Sequence, residues 1–422
     1  MRLSSFGAIF YFAAIVAVFA GCSNSPQSAQ VLPTAPTIAR DTGGGQPRYG
    51  SSRRLSLTER LIYSFGAAGS GDGYQPEAAL YDLNGSLYGV TPFGGGPHGS
   101  GSGTVFKIKL SGKEQRRTFW GANGAFPVGD LINVNGRLYG TTFFGGANGS
   151  GIVFSITPGG KRTTVYDFGR YGGPDGNYPN GGLTDINGTL YGTTTYGGTY
   201  GGGTVYSVTT TGHETVLYSF GADGDGYMPT ANLIDINRTL YGTTQYGGTY
   251  NEGTVFSVTT SGSEKVLHSF SGPPDGFFPY AGLTSVNGTI YGTTVAGGSM
   301  TCQCGIVFSI NASGNEKVLH TFTGPPDGAL PEASLLNVNG TLYGTTTGGG
   351  AYSNGSVFTI TTSGQEAVLY DFKGHPDGAA PRSGLIDVKG TLYGTTFYGG
   401  AYTGECRSSV GCGTVFSIIP RR

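Results

Sequence analysis

The sequence predicts an all-β fold, a seven-bladed β-propeller of four-stranded antiparallel blades, from three observations. A Tyr-Gly pair recurs in seven copies at intervals of 50 to 52 residues. Each of the first six copies contains four short strand signals, and no copy shows a helical period. An additional strand signal precedes the first copy, and the seventh copy lacks its last strand. The tyrosines of the pairs are Tyr88, Tyr139, Tyr191, Tyr241, Tyr291, Tyr343 and Tyr393.

The composition is typical of a folded, turn-rich β protein. Of 422 residues, 80 are Gly, 12% are aromatic and 12% are charged, and the formal net charge is −1. A disordered chain would carry few aromatic residues and a high net charge, and collagen would show a strict Gly-X-Y period. The absence of a basic stripe in the sequence argues against nucleic acid as a partner.

The N-terminal residues indicate export. Arg2 precedes an apolar run from Phe6 to Ala20, which suits a secretory signal and is short for a membrane span. "FAGC" at Phe19–Cys22 resembles a bacterial lipobox, so residues 1–22 are predicted to be a lipoprotein-type signal ending at a lipidated Cys22. Phe19 stands where Leu is preferred, which leaves plain secretion or an uncleaved anchor as alternatives. Ser23 favours an outer-membrane or cell-surface location.

Residues 23–56 are predicted to be a flexible tether, because Ser, Pro, Gln and Gly dominate without a hydrophobic period. The propeller is predicted to span residues 57–422. Its fourth copy shows the four strand signals as "ANLIDIN", "TLYGTT", "GTVFSVTT" and "KVLHSF", between Ala231 and Phe270.

The ring is predicted to close through the start of the chain. The seventh copy ends at "GTVFSIIPRR" without a fourth strand, and "RLIYSF" at Arg60–Phe65 matches the missing type. Pairing the two would complete the last blade and remove an exposed strand edge.

The unequal connections predict one functional face. Short Asn-Gly turns join the first and second strands, and short Gly-containing turns join the third and fourth. The second-to-third and the inter-blade connections are longer and vary. In an up-and-down blade these two emerge on the same side, here called the long-loop face, and binding residues commonly occupy such loops.

A polar position, Asp in six loops and Asn in one, recurs in every inter-blade loop, followed by Gly and, four residues on, by Pro. It is either a turn residue bonding its own backbone or part of a ring offering oxygens to Ca²⁺ or a sugar. The residues are Asp72, Asn123, Asp175, Asp225, Asp275, Asp327 and Asp377.

A second polar position recurs in the first strands and is either solvated channel lining or part of a ligand site. It comprises Asp82, Asn133, Asp185, Asp235, Ser285, Asn337 and Asp387. Aromatic residues of the variable loops suit carbohydrate, although packing between loops explains them equally well. The aromatic candidates are Phe143, Tyr196, Tyr200, Tyr246, Tyr250, Tyr352 and Tyr402.

The sequence contains no recognisable catalytic motif, so no catalytic residue is predicted. His268 and His320 replace Tyr in the fourth strands and are interpreted as framework, whereas His98 and His375 lie in long loops without an evident partner. Cys406 and Cys412 are disulfide candidates, and the state of Cys302 and Cys304 is left open. No cofactor is predicted, with Ca²⁺ as the alternative.

The "LYGTT-x-x-GG…G-x-VF" unit, with "DG-x-x-P" and "VLYSF", resembles the Gloeo/Verruco (GloVer) tandem repeat of exported bacterial proteins with a choice of anchor. The resemblance covers nearly everything after Leu57 in all seven copies. It implies a surface-attached propeller and no particular reaction.

Three functions remain open at this point. The first is a surface module that binds glycans or proteins at the long-loop face, as a monomer that meets the membrane through its lipid alone. The second is a structural or adhesive envelope protein without a discrete ligand. The third is a propeller lyase or hydrolase acting on polysaccharide, for which fold alone is weak support.

Overall fold

The computed structural model describes residues 59–67, 69–96, 101–110, 114–119, 123–403, 406 and 409–420. They form seven four-stranded antiparallel sheets, which confirms the predicted all-β propeller. The predictions for the signal, for Cys22, for the tether and for His98 fall outside these residues. Within the described part of the chain, no helix is long and apolar enough to cross a membrane.

From the channel outwards, blade 1 consists of Tyr81–Leu83, Ser86–Thr91, Thr104–Lys109 and Glu114–Thr118. Blade 2 consists of Ile132–Val134, Arg137–Thr142, Ile152–Ile156 and Arg162–Asp167. Blade 3 consists of Thr184–Ile186, Thr189–Thr194, Thr204–Thr209 and Glu214–Ser219. Blade 4 consists of Ile234–Ile236, Thr239–Thr244, Thr254–Thr259 and Glu264–Ser269.

Blade 5 consists of Thr284–Val286, Thr289–Thr294, Ile306–Ile310 and Glu316–Thr321. Blade 6 consists of Leu336–Val338, Thr341–Thr346, Ser356–Thr361 and Glu366–Asp371. Blade 7 consists of Ile386–Val388, Thr391–Thr396, Thr414–Ile418 and, from the chain start, Glu59–Ser64.

Blade 7 is made from both ends of the propeller. Its outer strand Glu59–Ser64 pairs antiparallel with Thr414–Ile418, with Glu59 opposite Ile418 and Ser64 opposite Thr414. Its first strand also contacts the first strand of blade 1 beside the channel. The strand pairing predicted from the sequence is therefore the one that the structure contains.

The hydrophobic core lies between the blades. At every junction a buried Phe at the end of one fourth strand packs edge to face on an aromatic ring of the next blade's third strand. Phe220 and Phe256 illustrate the contact, with ring centroids 4.9 Å apart. The other pairs are Phe65–Phe106, Phe119–Phe154, Phe168–Tyr206, Phe270–Phe308, Phe322–Phe358 and Phe372–Phe416.

The repeated "YGTT" sequence has a packing cause at each position. A Cβ on Gly242 would lie 2.7 Å from Phe256 Cζ, so this glycine leaves room for the ring of the adjacent strand. The Thr243 hydroxyl donates to Ala281 O of the next inter-blade segment at 3.1 Å. The Thr244 hydroxyl lies 2.8 Å from that of Thr254 and joins the second and third strands. The motif is therefore largely blade framework.

Candidate functional site at the channel mouth

The two long connections are tied together on the long-loop face. Two-residue ribbons pair the inter-blade loop with the second-to-third loop. They are Gly73–Tyr74 with Phe93–Gly94, Gly226–Tyr227 with Tyr246–Gly247, Gly276–Phe277 with Ala296–Gly297, Gly328–Ala329 with Gly348–Gly349, and Gly378–Ala379 with Tyr398–Gly399. One 3₁₀ turn, Gly69–Gly71, precedes the first of them.

The residue before each repeated Pro has a left-handed backbone, although none of the seven is Gly. Their φ values lie between 50° and 61°, a conformation that costs free energy for residues with a Cβ. Tyr178 shows what holds it: its N–H donates to Ser150 O and its carbonyl accepts from Thr195 N. The backbone thereby directs a side chain of each inter-blade loop onto the long-loop face. The residues are Gln75, Phe126, Tyr178, Met228, Phe278, Leu330 and Ala380.

The residue after the repeated Pro breaks the symmetry of the repeat. The second strands are nearly constant from copy to copy, whereas this position, like the one before the Pro, carries six residue types. Its residues are Glu77, Val128, Asn180, Thr230, Tyr280, Glu332 and Arg382. Each stands shortly before a first strand and therefore at the end of the channel that opens on the long-loop face. We call Glu77, Asn180, Tyr280, Glu332 and Arg382, with Asp130 and Asn232, the mouth cluster.

Arg382 is the centre of the charged part of this cluster. Its Nη1 lies 3.2 Å from Glu77 Oε1, and its Nε lies 3.4 Å from Glu332 Oε2. Its guanidinium carbon stands 4.1 Å from the ring centroid of Phe397. The side chains of Arg382, Glu77 and Glu332 are 17%, 25% and 7% exposed, so the group is largely buried but reaches solvent.

Contacts between residues two blades apart show that the cluster crosses the channel. Asn180 Nδ2 and the Tyr280 hydroxyl lie 3.5 Å apart, and Asn232 Nδ2 donates to Asp130 Oδ2 at 2.5 Å. One whole blade lies between the two members of each pair. Their side chains can therefore meet only at the central channel. The other oxygen of Asp130 accepts Ala79 N at 2.6 Å.

Burial changes the acid–base properties of the mouth cluster. It raises the pKa of Glu77, and the nearby Arg382 opposes this shift. Burial likewise raises the pKa of Asp130 against its two hydrogen bonds. Tyr280 has a pKa raised to about 12, by burial first and then by the carboxylate of Glu77. Burial lowers the pKa of Arg382, but the carboxylates of Glu332 and Glu77 more than reverse this effect.

Half-buried aromatic rings follow the same face over blades 1 to 5, and we call this set the aromatic arc. Tyr178 packs at 5.1 Å from Phe144 and at 6.1 Å from Tyr196, measured between ring centroids. The remaining members are Phe93, Phe126, Tyr246 and Phe278, with neighbouring contacts of 5.0 to 5.5 Å. The equivalent loops before blades 6 and 7 carry Leu330 and Ala380, beside the charged residues Glu332 and Arg382.

The six recurring aspartates serve as loop anchors. Each carboxylate accepts at least one backbone N–H of its own loop, as Asp225 does from Gly221 and Gly226. The hydroxyl of the preceding Tyr donates to four of them at 2.8 to 3.0 Å, as Tyr218 does to Asp225. A backbone N–H of the same loop likewise donates to the carboxylates of Asp72, Asp175, Asp275, Asp327 and Asp377. Asn123 is exposed.

The aromatic candidates fall into two groups. Tyr200, Tyr250, Tyr352 and Tyr402 are between 42% and 62% exposed and occupy the same loop position in blades 3, 4, 6 and 7. Tyr196 and Tyr246 belong to the aromatic arc. Phe143 is 8% exposed and stacks on Tyr178 at 5.0 Å between centroids, so it supports the arc from below.

The first-strand polar residues lie at the opposite face. Asn133 accepts the N–H of Gly136, Asp185 that of Gly188 and Asn337 that of Gly340, each at 2.9 Å. These contacts stabilise the Asn-Gly hairpins. They place these side chains away from the mouth cluster.

The structure also locates the cysteines and His375. Cys406 forms a disulfide with Cys412, with Cα atoms 5.4 Å apart, and the side chains of Cys302 and Cys304 lie next to each other. His375 Nδ1 lies 2.6 Å from Gly400 O in the adjacent loop.

The sequence interpretation missed the mouth cluster. Its signal was the variable sequence around an invariant Pro, in a repeat whose second strands hardly change. The residues lie about 50 or more positions apart, so the spacing alone does not reveal that they meet.

No curated protein sequence matches the chain. Its structure is similar to a gluconolactonase from Xanthomonas campestris, XC5397 (12% identity, TM-score 0.40, covering 65% of this chain and 82% of that one). It is also similar to a luciferin-regenerating enzyme (13%, 0.41, 86% and 95%) and to YjhT (12%, 0.42, 71% and 98%). Similarity at this level carries no argument about activity.

The family comparison is decisive about membership. A model of the Gloeobacter/Verrucomicrobia repeat matches residues 41–185, 170–338 and 239–422. Together these matches cover the entire propeller, in agreement with the resemblance of the repeat unit. The chain belongs to the Gloeobacter/Verrucomicrobia repeat family.

Proposed function

We propose that this chain is an exported, lipid-anchored propeller that binds glycans on its long-loop face, with the sugar seated at the channel mouth. The observation that carries the proposal is the break in symmetry there. Seven nearly identical blades supply six residue types at the position after the repeated Pro. A framework needs no such variety, whereas a discrete ligand site does.

The chemistry of the face suits carbohydrate. Aromatic rings present flat apolar surfaces to sugar C–H faces, and the amides, carboxylates and guanidinium of the mouth cluster match sugar hydroxyls. Glu77, Glu332 and Asp130 outnumber the cation Arg382. We therefore expect neutral or amino-sugar glycans to be preferred over uronic-acid polymers.

The exposed tyrosines extend this face outwards. A Cβ on Gly66, at the end of the outer strand of blade 7, would lie 2.9 Å from Tyr402 Cβ, so this ring projects near the rim. Tyr200 stands in the same way beside Gly221 in blade 3. A long glycan could contact the mouth and several rim tyrosines at once. The lipid on Cys22 and the tether of residues 23–56 would hold the propeller at the outer membrane or cell surface as a monomer.

An array of neutral, amino and acidic oligosaccharides tests the proposal with the full chain, in Ca²⁺ and in chelator. Selective binding that is lost in Arg382→Met, with the fold retained by circular dichroism, supports a mouth site. The matched variant Y200A/Y250A/Y352A/Y402A changes exposed residues alone and should weaken long glycans more than short ones. Absence of binding to every oligosaccharide would overturn the glycan proposal and favour a protein partner or a structural role.

A polysaccharide lyase or hydrolase is the second candidate, favoured by one observation. The mouth cluster combines a carboxyl of raised pKa on Glu77 with Tyr280 and the guanidinium of Arg382. Proton transfer and charge stabilisation need groups of these kinds. Release of reducing or unsaturated ends from a bound glycan, abolished in Glu77→Gln while binding persists, would establish the enzyme. Binding without release of such ends would favour the binding module over the enzyme.

A further inference from the structure

Two neighbouring blade junctions carry a His, an Asp and a Glu at their outer edge. At the first, His268 lies in the outer strand of blade 4 and Asp275 in the loop that follows it, and Glu316 begins the outer strand of blade 5. At the second, His320 and Asp327 follow from blade 5, and Glu366 begins the outer strand of blade 6. Within each group, one nitrogen and two carboxylate oxygens all lie within 4.8 Å of one another.

Four of the five other junctions provide a comparison inside the same chain. Tyr63, Tyr166, Tyr218 and Tyr370 occupy the position of the two histidines, and each hydroxyl donates to the loop Asp. The residue three positions later is Gly66, Gly169, Gly221 or Lys373 at these junctions. Where His replaces Tyr, this residue is Ser271 or Thr323. A side-chain hydroxyl therefore accompanies each imidazole, which is unexplained if His merely substitutes for the hydrogen bond of Tyr.

The Asp at each His junction is held in place by the backbone of its own loop, and its Oδ2 also accepts the N–H of Ser271 or Thr323. Its Oδ1 accepts a backbone N–H, from Gly276 at 2.6 Å or from Gly328 at 2.7 Å. Its Oδ2 faces the imidazole, at 3.1 Å from His268 Nε2 or 3.3 Å from His320 Nε2. The same Oδ2 lies 3.3 Å from Ser271 Oγ or 3.1 Å from Thr323 Oγ1. Donor atoms about 3.4 Å apart are what a tetrahedral ion with bonds near 2.1 Å requires.

The third ligand comes from the next blade. Glu316 Oε1 and Glu366 Oε1 are buried and have no hydrogen-bond partner among the described residues, and the same holds for Glu59, Glu214 and Glu264 at Tyr junctions. The free carboxylate oxygen is therefore common to these junctions, and the imidazole is what makes a cation site possible at two of them. Two carboxylates also neutralise a divalent charge.

We propose that His268, Asp275 and Glu316, and separately His320, Asp327 and Glu366, each bind one divalent transition-metal ion such as Zn²⁺, with Ser271 or Thr323 beside it. Imidazole and carboxylate together suit zinc and its neighbours better than Ca²⁺ or Mg²⁺. Each ion would join two blades, so that blade 5 is fixed on both sides. The glycan site at the mouth is not involved.

Zinc titration of the full chain by calorimetry, after removal of metal with chelator, tests this inference. The expected stoichiometry is two Zn²⁺ per chain, with a higher melting temperature in Zn²⁺ than in chelator. H268Y removes one ion and H268Y/H320Y removes both, while the substituted Tyr keeps the hydrogen bond to Asp that four other junctions use. E316Q/E366Q leaves the His–Asp pairs intact and should weaken zinc affinity at least tenfold.

A gain-of-site variant provides the complementary test. Y370H/K373T gives the junction of Asp377 and Glu59 the same four groups and should raise the stoichiometry to three. The backbone N–H of Lys373 already donates to Asp377 Oδ2, as those of Ser271 and Thr323 do to their Asp. Zinc binding that is equal in the wild type and in H268Y/H320Y would belong to the remaining histidines and would overturn the inference. A melting temperature unaffected by zinc in the wild type would overturn the joining role.

Discussion

Arg382 Nη1 lies 3.2 Å from Glu77 Oε1, and this ion pair connects residues 305 positions apart where the last blade meets the first. Glu332 approaches the same guanidinium from the preceding blade. One cation thus compensates two largely buried carboxylates at the seam of the ring.

Arg382→Met should destabilise the propeller by about 3 kcal/mol, because it leaves two buried carboxylates without their cation. Urea denaturation at pH 7 measures the change in the free energy of unfolding. Adding Glu77→Gln to this variant should recover part of the loss, since one unpaired charge is removed. A loss below about 0.5 kcal/mol would show that solvent screens the pair as it does a surface pair.

Stability should fall as pH rises between about 4.5 and about 7. Burial, followed by the neighbouring Asp175 or Asp225, raises the pKa of Glu214 and Glu264 from 4.5 to about 7. The folded state therefore binds these protons more tightly than the unfolded state. The stability that these two groups contribute is fully present below pH 4.5 and is lost as pH rises through 7.

The variant E214Q/E264Q isolates this effect, because Gln resembles the protonated acid. At pH 8 it should be more stable than the wild type by about 1 kcal/mol, a value reduced by solvent screening of half-buried groups. At pH 4.5 the two proteins should unfold at the same urea concentration. Equal stabilities at both pH values would contradict the raised pKa of these residues.

Gly242→Ala should lower stability by about 2 kcal/mol, because its Cβ would lie 2.7 Å from Phe256 Cζ and 2.8 Å from Leu233 Cδ2. Thermal unfolding measures the effect. Gly159→Ala is the matched control, since the nearest atom to its Cβ is Thr157 Oγ1 at 3.8 Å. If both variants melt alike, the Tyr-Gly pair is not explained by ring packing.

Tyr206→Phe should stabilise the protein by about 1 kcal/mol. Tyr206 is fully buried, and its hydroxyl has no hydrogen-bond partner among the described residues. Removing the hydroxyl removes the free-energy cost of burying a polar group that forms no hydrogen bond. Six other blades carry Phe at this position, and the reverse change Phe256→Tyr should be destabilising in the same denaturation assay.

The fold was largely predictable because it rests on local patterns repeated seven times. "TLYGTT" was predicted as a strand from Thr239 to Thr244, and the structure has the same bounds. The first strand was predicted from Ala231 but begins at Ile234, because the preceding residues form the channel mouth. The two-residue ribbons escaped prediction, since pairs such as Gly226–Tyr227 are too short to show a period.

The candidate site was less predictable because it depends on ring geometry. Asn180 and Tyr280 are 100 positions apart and meet across the channel. Likewise, the sequence placed Phe143 among the candidate ligand-binding aromatics of the loops, whereas the ring of Tyr178 stacks on it and leaves it 8% exposed. This contact joins two different loops, so no local pattern predicts it.

The pairing of Glu59–Ser64 with Thr414–Ile418 also means that ordinary strand hydrogen bonds hold the circle shut. If thermal motion released Glu59–Ser64, both this strand and Thr414–Ile418 would present an unpaired edge. Such edges can pair with strands of other molecules, so opening of this single strand pair would favour association between chains.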